Sequence, residues 1–242
     1  MDARLPRQNR VNPWGEIVAT PARGAWMGNR GALHNAASRI VRHHRGMRWI
    51  ICVLRFKGRQ RTLMTPGHYT ELFFLDEATA LAAGHRPCAE CQRPRFDLFR
   101  RTWAAANPGL AQGAIPSAAA LDAALHAERI DDAGRKVVFA ARLGDLPFGT
   151  LVAGDEPATP WLVGEGRLWR WSFAGYTPGP AWEGTRAVGV LTPASVVRTL
   201  AAGYPVQVHP SAGDRQKAVG SRGEDFTAKG AEGAKARREG HC

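Results

Sequence analysis

ELFFLDEATALAAGHRPCAEC, residues 71–91, is the stretch on which the reading of this chain turns. Its apolar and aromatic start, Leu72–Leu75, predicts a short strand. Asp76 can cap a short helix over ATALAA, and Gly84 stops it. His85-Arg86-Pro87 then makes a tight connection to Cys88-Ala89-Glu90-Cys91. Two thiolates separated by two residues fit one tetrahedral Zn²⁺, with a tight turn wrapped around the metal. The second cysteine leads into RPRFDLFRRTWAAA, a helix with Phe96, Phe99 and Trp103 at i, i+3 and i+7. Three other readings compete. A redox C-x-x-C expects a strand before it in a thioredoxin-like βαβ unit, whereas the preceding element here is a short helix. The pair could be buried structural thiols, or part of an Fe–S or other soft-metal site. Zinc is the reading that the spacing and the following helix favour.

A C-x-x-C supplies only two ligands, and no second one exists among the 4 cysteines. Single candidates upstream are His34, His43, His44, Cys52, His68 and His85. Cys52 lies in an apolar run and can complete a knuckle from a strand, or can be a small core residue. His34 follows two glycines in GNRGALH, a turn that suits a ligand. His43 and His44 are adjacent, so both cannot easily face one metal. The expected ligand set is His34, Cys52, Cys88 and Cys91.

Outward from this stretch, RWIICVLRF (residues 48–56) is β-branched and aromatic and predicts a strand. Ser117 opens a helix over AAALDAALHAERI, with Leu121, Leu125 and Ile130 on one face. Beyond Gly134 the pattern changes to short strands: VVFAARL, GTLVAG, WLV, RLWRWSF and AVGVL. WLV-GEG-RLWRW has the form of a hairpin, and its Trp169, Trp171 and Phe173 share one face, as a buried sheet face or as a platform for unpaired bases. Thr192-Pro193 predicts an N-cap and first turn for ASVVRTLAA, which Gly203 ends. YPVQVHP reads as a last strand or extended segment. The fold class is α+β: a zinc-knuckle region of short strands and helices, then a small antiparallel sheet with two helices. The expected organisation is an irregular basic arm (1–24), a zinc-binding basic region (25–110), an α+β C-terminal region (111–212) and a disordered tail (213–242) too poor in apolar residues to fold.

The chain has 242 residues and a net charge of +12. Nearly all of that excess lies in the first quarter, where 12 Arg and one Lys face only Asp2 and Glu16. Such a block attracts polyanions through its field and through counterion release, and arginine forks onto phosphate and guanine edges. Residues 39–61 concentrate it, with Arg39, Arg42, Arg45, Arg48, Arg55, Lys57, Arg59 and Arg61 and no acid among them. Arg39, Arg42 and Arg45 would share a helical face, and Arg55, Lys57 and Arg59 one side of a strand. The expected partner is DNA or RNA. No apolar run is long enough for a membrane span, and the N-terminus lacks the apolar core of a secretory signal, so a reduced, cytoplasmic chain with no membrane partner is expected. Nucleotide-binding glycine loops, H-E-x-x-H, G-x-S-x-G and kinase signatures are absent.

Residues 71–91 resemble the metal-binding module at the N-terminus of the Ada DNA-methylation-repair proteins. The shared pattern is a strand with adjacent aromatics (Phe73, Phe74), a short Ala-rich helix, and Ala82-Ala83-Gly84-His85-Arg86-Pro87-Cys88 running to Cys91. The resemblance implies a cysteine-rich zinc site beside a DNA-binding surface, with Cys88 and Cys91 as the second pair of ligands. The Ada module also carries an upstream cysteine pair, one member of which accepts a methyl group from a DNA phosphotriester; here only Cys52 stands upstream. The whole chain further resembles a set of bacterial proteins without an assigned function that share GNRG-LH, RWI-C-L-FK and ELFFLDE-x-x-A. The functional expectation is a zinc-stabilised DNA-binding protein linked to DNA repair. The alternatives are a metal-dependent enzyme acting on nucleic acid or nucleotides, with groups drawn from His34, His43, His44, His68 or Cys52, and a zinc-stapled protein-interaction module.

Overall fold

The computed structural model describes residues 5–60, 62–154, 159–181 and 184–213. The chain divides into two units, 1–212 and 213–242, and every element below belongs to the first. Residues 214–242 of the tail expected to be disordered lie outside the described residues, as does Arg61.

The fold is α+β, with two six-stranded sheets. In the first sheet the strands lie in the order β2 (Ile17–Ala19), β1 (Gln8–Val11), β5 (Leu72–Phe74), β3 (Trp26–Asn29), β4 (Ile50–Cys52) and β6 (Arg86–Pro87). It is mixed: β1 runs parallel to β5 and β4 parallel to β6, while β3 is antiparallel to β4 and β5. The second sheet is wholly antiparallel, in the order β11 (Gly175–Ala181), β10 (Arg167–Ser172), β9 (Pro160–Val163), β8 (Leu151–Ala153), β12 (Ala187–Val190) and β7 (Phe139–Arg142). The hairpin expected at WLVGEGRLWRW is β9–β10. Its aromatic side is largely inside: Trp171 is buried, its Nε1 donates to Thr79 Oγ1 at 2.9 Å, and Trp169 and Phe173 pack against the same cluster.

The first 24 residues are not an irregular arm, because β1 and β2 pair with each other and β1 adds to β5. Val11 and Ile17 supply the buried side of that hairpin, a spacing too short to stand out by periodicity. Nor does the chain separate near residue 110. Helix α1 (Glu77–Ala82) is wholly buried. Its Ala80 and Leu81 join the core under the first sheet, while Ala78 and Ala82 join the core under the second. Small side chains let both layers approach one helix. Asp76 caps α1 through Thr79 N at 2.8 Å. It also accepts from Tyr176 Oη at 2.8 Å and His209 N at 2.9 Å, tying the second half of the chain to the helix start.

Helix α2 (Arg93–Ala106) buries Phe96, Phe99 and Trp103, and Asn107 then leads into the short α3 (Pro108–Ala111). Helix α4 (Ala118–Arg129) begins at Ser117, whose hydroxyl accepts from Ala120 N. In α5 (Ala194–Ala201) the cap differs from expectation. Pro193 holds the N-cap position, Thr192 Oγ1 accepts from Leu151 N instead, and Glu128 takes the amide and hydroxyl of Ser195. YPVQVHP forms no strand; it crosses Asp76 and Glu77 as irregular chain and ends in a single 3₁₀ turn at Pro210–Ala212. Among the described residues no helix is long and apolar enough to cross a membrane.

Candidate functional site

The site is set by the parallel register of β4 and β6. Ile50 pairs with Arg86 and Ile51 with Pro87, so Cys52 and Cys88 follow as neighbours at the ends of both strands. Cys88 N donates to Ile51 O at 2.9 Å, and Gln92 Nε2 donates to the same carbonyl at 2.7 Å. The turn Cys88–Cys91 then folds back, with Gln92 N on Cys88 O. It brings Cys91 to the other two, so that the sulfurs of Cys52, Cys88 and Cys91 lie within 4.8 Å of one another. Three sulfur donors at that spacing are close enough to hold a metal ion.

Electrostatics around the group favour the charged form at Cys88 and the neutral thiol at Cys91. Hydrogen bonds from Cys52 and Cys91, reinforced by the amides of Cys91 and Glu90, outweigh burial and hold Cys88 far below the ordinary thiol range. For Cys91 the hydrogen bond from Cys52 pulls downward, but its partnership with Cys88 and burial prevail and raise it to about 11. The Glu90 amide donates to Cys88 Sγ at 3.4 Å, so negative charge on the group is best stabilised at Cys88. A bound cation would replace the remaining protons.

His34 is left out of this group. Its Nδ1 is 2.6 Å from Thr70 Oγ1 and its Nε2 is 3.1 Å from Thr65 O, so both ring nitrogens are committed to holding neighbouring loops together. His68 is exposed, with Nδ1 3.3 Å from Pro66 O. His85 is buried at the opposite end of β6, where its ring meets Phe74 and Trp49.

The basic block is exposed but not arranged as expected. Arg39, Arg42, Arg45 and Arg48 sit on irregular chain, not on a helix. Their segment folds back on residues 30–35 through Val41 N on Leu33 O, Asn35 N on Arg39 O and Arg45 N on Arg30 O, which takes the amides a helix would need. Arg55, Lys57 and Arg59 do not alternate on a strand, since β4 ends at Cys52 and Arg59 N closes a turn on Phe56 O. Lys57 Nζ and the Arg59 guanidinium lie over the Phe56 ring. Arg59 also pairs with Glu90 at 2.6 Å, linking this turn to the cysteine loop. Arg39, Arg42, Arg45, Arg48 and Arg55 are all exposed and have no ion-pair partner among the described residues.

A second constellation has no signal in the sequence. Arg30, Trp49, Arg129 and Lys136 converge on a cleft that His43 and His44 also line. These residues come from separate segments with no shared spacing, so pattern reading has nothing to find. Comparison of the chain with family models, with curated proteins and with solved structures finds no match.

Proposed function

We propose that this chain is a zinc-stabilised DNA-binding protein, with a role in DNA repair. The observation that carries the reading is the set of five exposed arginines, Arg39, Arg42, Arg45, Arg48 and Arg55, unpaired among the described residues and displayed on loops tied to the first sheet. Phosphate is the counter-ion such a surface fits, and its binding releases condensed cations. The Cys52–Cys88–Cys91 group supports Zn²⁺ as the bound metal, because soft thiolates in a C-x-x-C turn before a helix suit it. Zinc would staple the turn to the end of β4 and so fix the loop that carries Arg55 and Arg59. The tie to repair rests on the resemblance of residues 71–91 to the Ada module.

The test is a mobility shift on duplex DNA and RNA across a range of salt. The wild-type chain should bind with a steep salt dependence, and neutralising one of the five arginines should reduce the slope by about 1. A quadruple R39E/R42E/R45E/R48E variant that folds by circular dichroism should lose binding; wild-type affinity in that variant would sink the reading. Metal analysis should find about one zinc per chain. Cys88→Ser should lower metal content and melting temperature together.

The number of ligands favours one second reading. Only three donors converge among the described residues, and catalytic zinc sites keep three protein ligands and an open position. A metal-dependent enzyme acting on nucleic acid would then convert labelled DNA, and Cys88→Ser would abolish conversion.

A further inference from the structure

Arg30, Arg129 and Lys136 form a buried concentration of positive charge. Arg30 is 1% exposed and Arg129 0%, while Lys136 is half-buried. The two guanidinium groups lie over the Trp49 ring at 4.1 and 4.0 Å. None of the three cations has a carboxylate partner among the described residues. Carbonyl oxygens hold them instead. Arg30 Nη1 donates to Gly15 O at 2.9 Å, and Arg129 donates to Gly84 O at 2.9 Å and Met47 O at 2.5 Å. Lys136 Nζ donates to Ala82 O. Arg30 Nε donates to His85 Nε2 at 3.2 Å, so His85 is a neutral acceptor and adds no negative charge. Of the acids nearby, Glu16 stands at the rim against Asn12, and Asp131 is taken by Arg135. Asp122, also on α4, forms its ion pair with Arg86; its charge offsets part of the burial penalty on Arg129 and reaches neither Arg30 nor Lys136 by an ion pair.

Buried cations without counter-ions are costly unless something neutralises them. Two of their donors are also left over: Arg30 Nη2 and Arg129 Nε are buried without an acceptor among the described residues, as is Trp14 Nε1 beside them. The cleft they line holds about 230 Å³. Ligand sites for drug-sized molecules span roughly 300–1,000 Å³, so this one admits a small anionic group, not a whole nucleotide. Crowding of like charge agrees with this. Burial, then Arg129, lowers Arg30 to about 9, and burial, then Arg30 and Arg129, lowers Lys136 to about 7.

We infer that this cleft is a binding site for a terminal phosphate group, received by Arg30, Arg129 and Lys136 with Trp14 and Trp49 as its aromatic walls. Arginine forks match the oxygens of a tetrahedral anion, and the ammonium adds a point charge. The two arginines are buried, so a phosphate must project inward to reach them. A monoester can do so; a diester inside a strand, flanked by sugars on both sides, cannot. The same chemistry is offered by a free nucleoside monophosphate and by the 5′-phosphorylated end of a nucleic-acid strand. The inference stands on the cleft itself and not on the exposed arginines.

Calorimetric titration of the full chain tests it, first with inorganic phosphate against chloride at equal ionic strength. Phosphate should bind. Lys136→Met should weaken it at least tenfold, and Arg30→Met likewise if that variant folds. The R39E/R42E/R45E/R48E variant should retain phosphate binding even if it no longer binds DNA, which separates this site from the nucleic-acid reading. Adenosine monophosphate and paired oligonucleotides with a 5′-phosphate or a 5′-hydroxyl then identify the source. Tighter binding of the phosphorylated end points to strand termini; a gain only for the mononucleotide points to a free nucleotide. No binding of phosphate by the wild-type chain, or unchanged binding in Lys136→Met, would overturn the inference.

Discussion

The β4–β6 pair carries two sites of opposite character at its two ends. Where the strands begin, the rings of Trp49 and His85 are 5.4 Å apart and face the cations Arg30 and Arg129. Where they end, Cys52 and Cys88 meet in a thiol group that stabilises negative charge. In each strand the two positions are three residue steps apart, which is about 10 Å of extended chain. One end is suited to a metal cation and the other to an anion. The difference lies in how each is assembled. The thiol group needs one local motif and one neighbour in register. The cation group needs Arg30 after β3, Trp49 before β4, Arg129 at the end of α4 and Lys136 beyond it, so it exists only when the whole unit is folded.

Arg86 stands between the two ends, and breaking its ion pair should have the largest effect. Its guanidinium donates to both Asp122 oxygens, at 2.9 and 2.8 Å, and both side chains are buried. Asp122→Ala would leave Arg86 charged and unpaired, at a cost of about 3–5 kcal/mol. Because Asp122 and Arg129 share α4, the loss should disturb both ends together. Denaturant unfolding and metal content measured on the same variant check this. A cost below about 1 kcal/mol would show that β6 is held by the knuckle alone.

The next effect distinguishes the ends by pH. Burial, with Arg30 and Arg129 adding to it, lowers Lys136 from its ordinary 10.5 to about 7. Arg135, Glu16 and His44 line the same cleft, and His85 is packed behind it against Arg30. Between about pH 7 and 10.5 the unfolded chain keeps the Lys136 proton and the folded chain has released it. The unfolded state then binds more protons, so stability rises with pH across that window. Arg30 and Arg129, each lowered to about 9 by burial, act in the same direction at its upper end. Lys136→Met should flatten the rise and increase stability at neutral pH while weakening phosphate binding. Melting curves from pH 6 to 9.5 check it; a slope unchanged by the substitution would place the charge in solvent.

Legibility follows the same divide. Local chemistry was readable: Asp76 as a cap, Gly84 as a stop, Cys88-x-x-Cys91 as a turn, Ser117 as a cap and the β9–β10 hairpin all rest on neighbours within a few residues. Cys52 was readable as a candidate because it lies in an apolar run that predicts a strand. His34 was misplaced because a turn after glycines shows that a histidine can point somewhere, not where; Thr70 and Thr65 claim it. The arginine run was readable as exposed charge, but its helical and strand arrangements failed because long-range backbone bonds to residues 30–35 outweigh spacing. The cleft was not legible at all, since buried single arginines look like surface arginines in a sequence.

Gly84 ties the ends together at a smaller cost. Its φ is +87°, and a Cβ there would lie 2.6 Å from Arg129 Cδ and 2.8 Å from Arg129 Cβ. Gly84→Ala therefore combines left-handed strain with displacement of Arg129, for a loss of about 1–3 kcal/mol. Gly67→Ala is the control, because Gly67 has a φ of +81° and nothing near its Cβ position. Gly84→Ala should weaken phosphate binding with zinc content near wild type; Gly67→Ala should leave both near wild type. Equal effects from both would mean that strain alone acts and Arg129 does not move.

The smallest effect belongs to the ion pair outside the thiol group. Arg59 and Glu90 meet at 2.6 Å, but their side chains are 39% and 36% exposed. Water screens such a pair and two long side chains lose freedom in forming it, so exposed pairs contribute about 0.2–1 kcal/mol. Arg59→Ala should therefore cost less than about 1 kcal/mol, against several for Asp122→Ala, although both remove one partner of an arginine–carboxylate contact. Its effect should shrink further at high salt, since the Debye length falls to about 3 Å at 1 M. Zinc content should not change, because the Cys88–Cys91 turn is held by Cys88 N on Ile51 O and by Gln92, not by Glu90's side chain. Unfolding curves at low and high salt, with metal analysis alongside, check this. Loss of metal in Arg59→Ala would make Glu90 part of the thiol site, and the contrast between a site built by strand register and one built by scattered cations would then no longer hold.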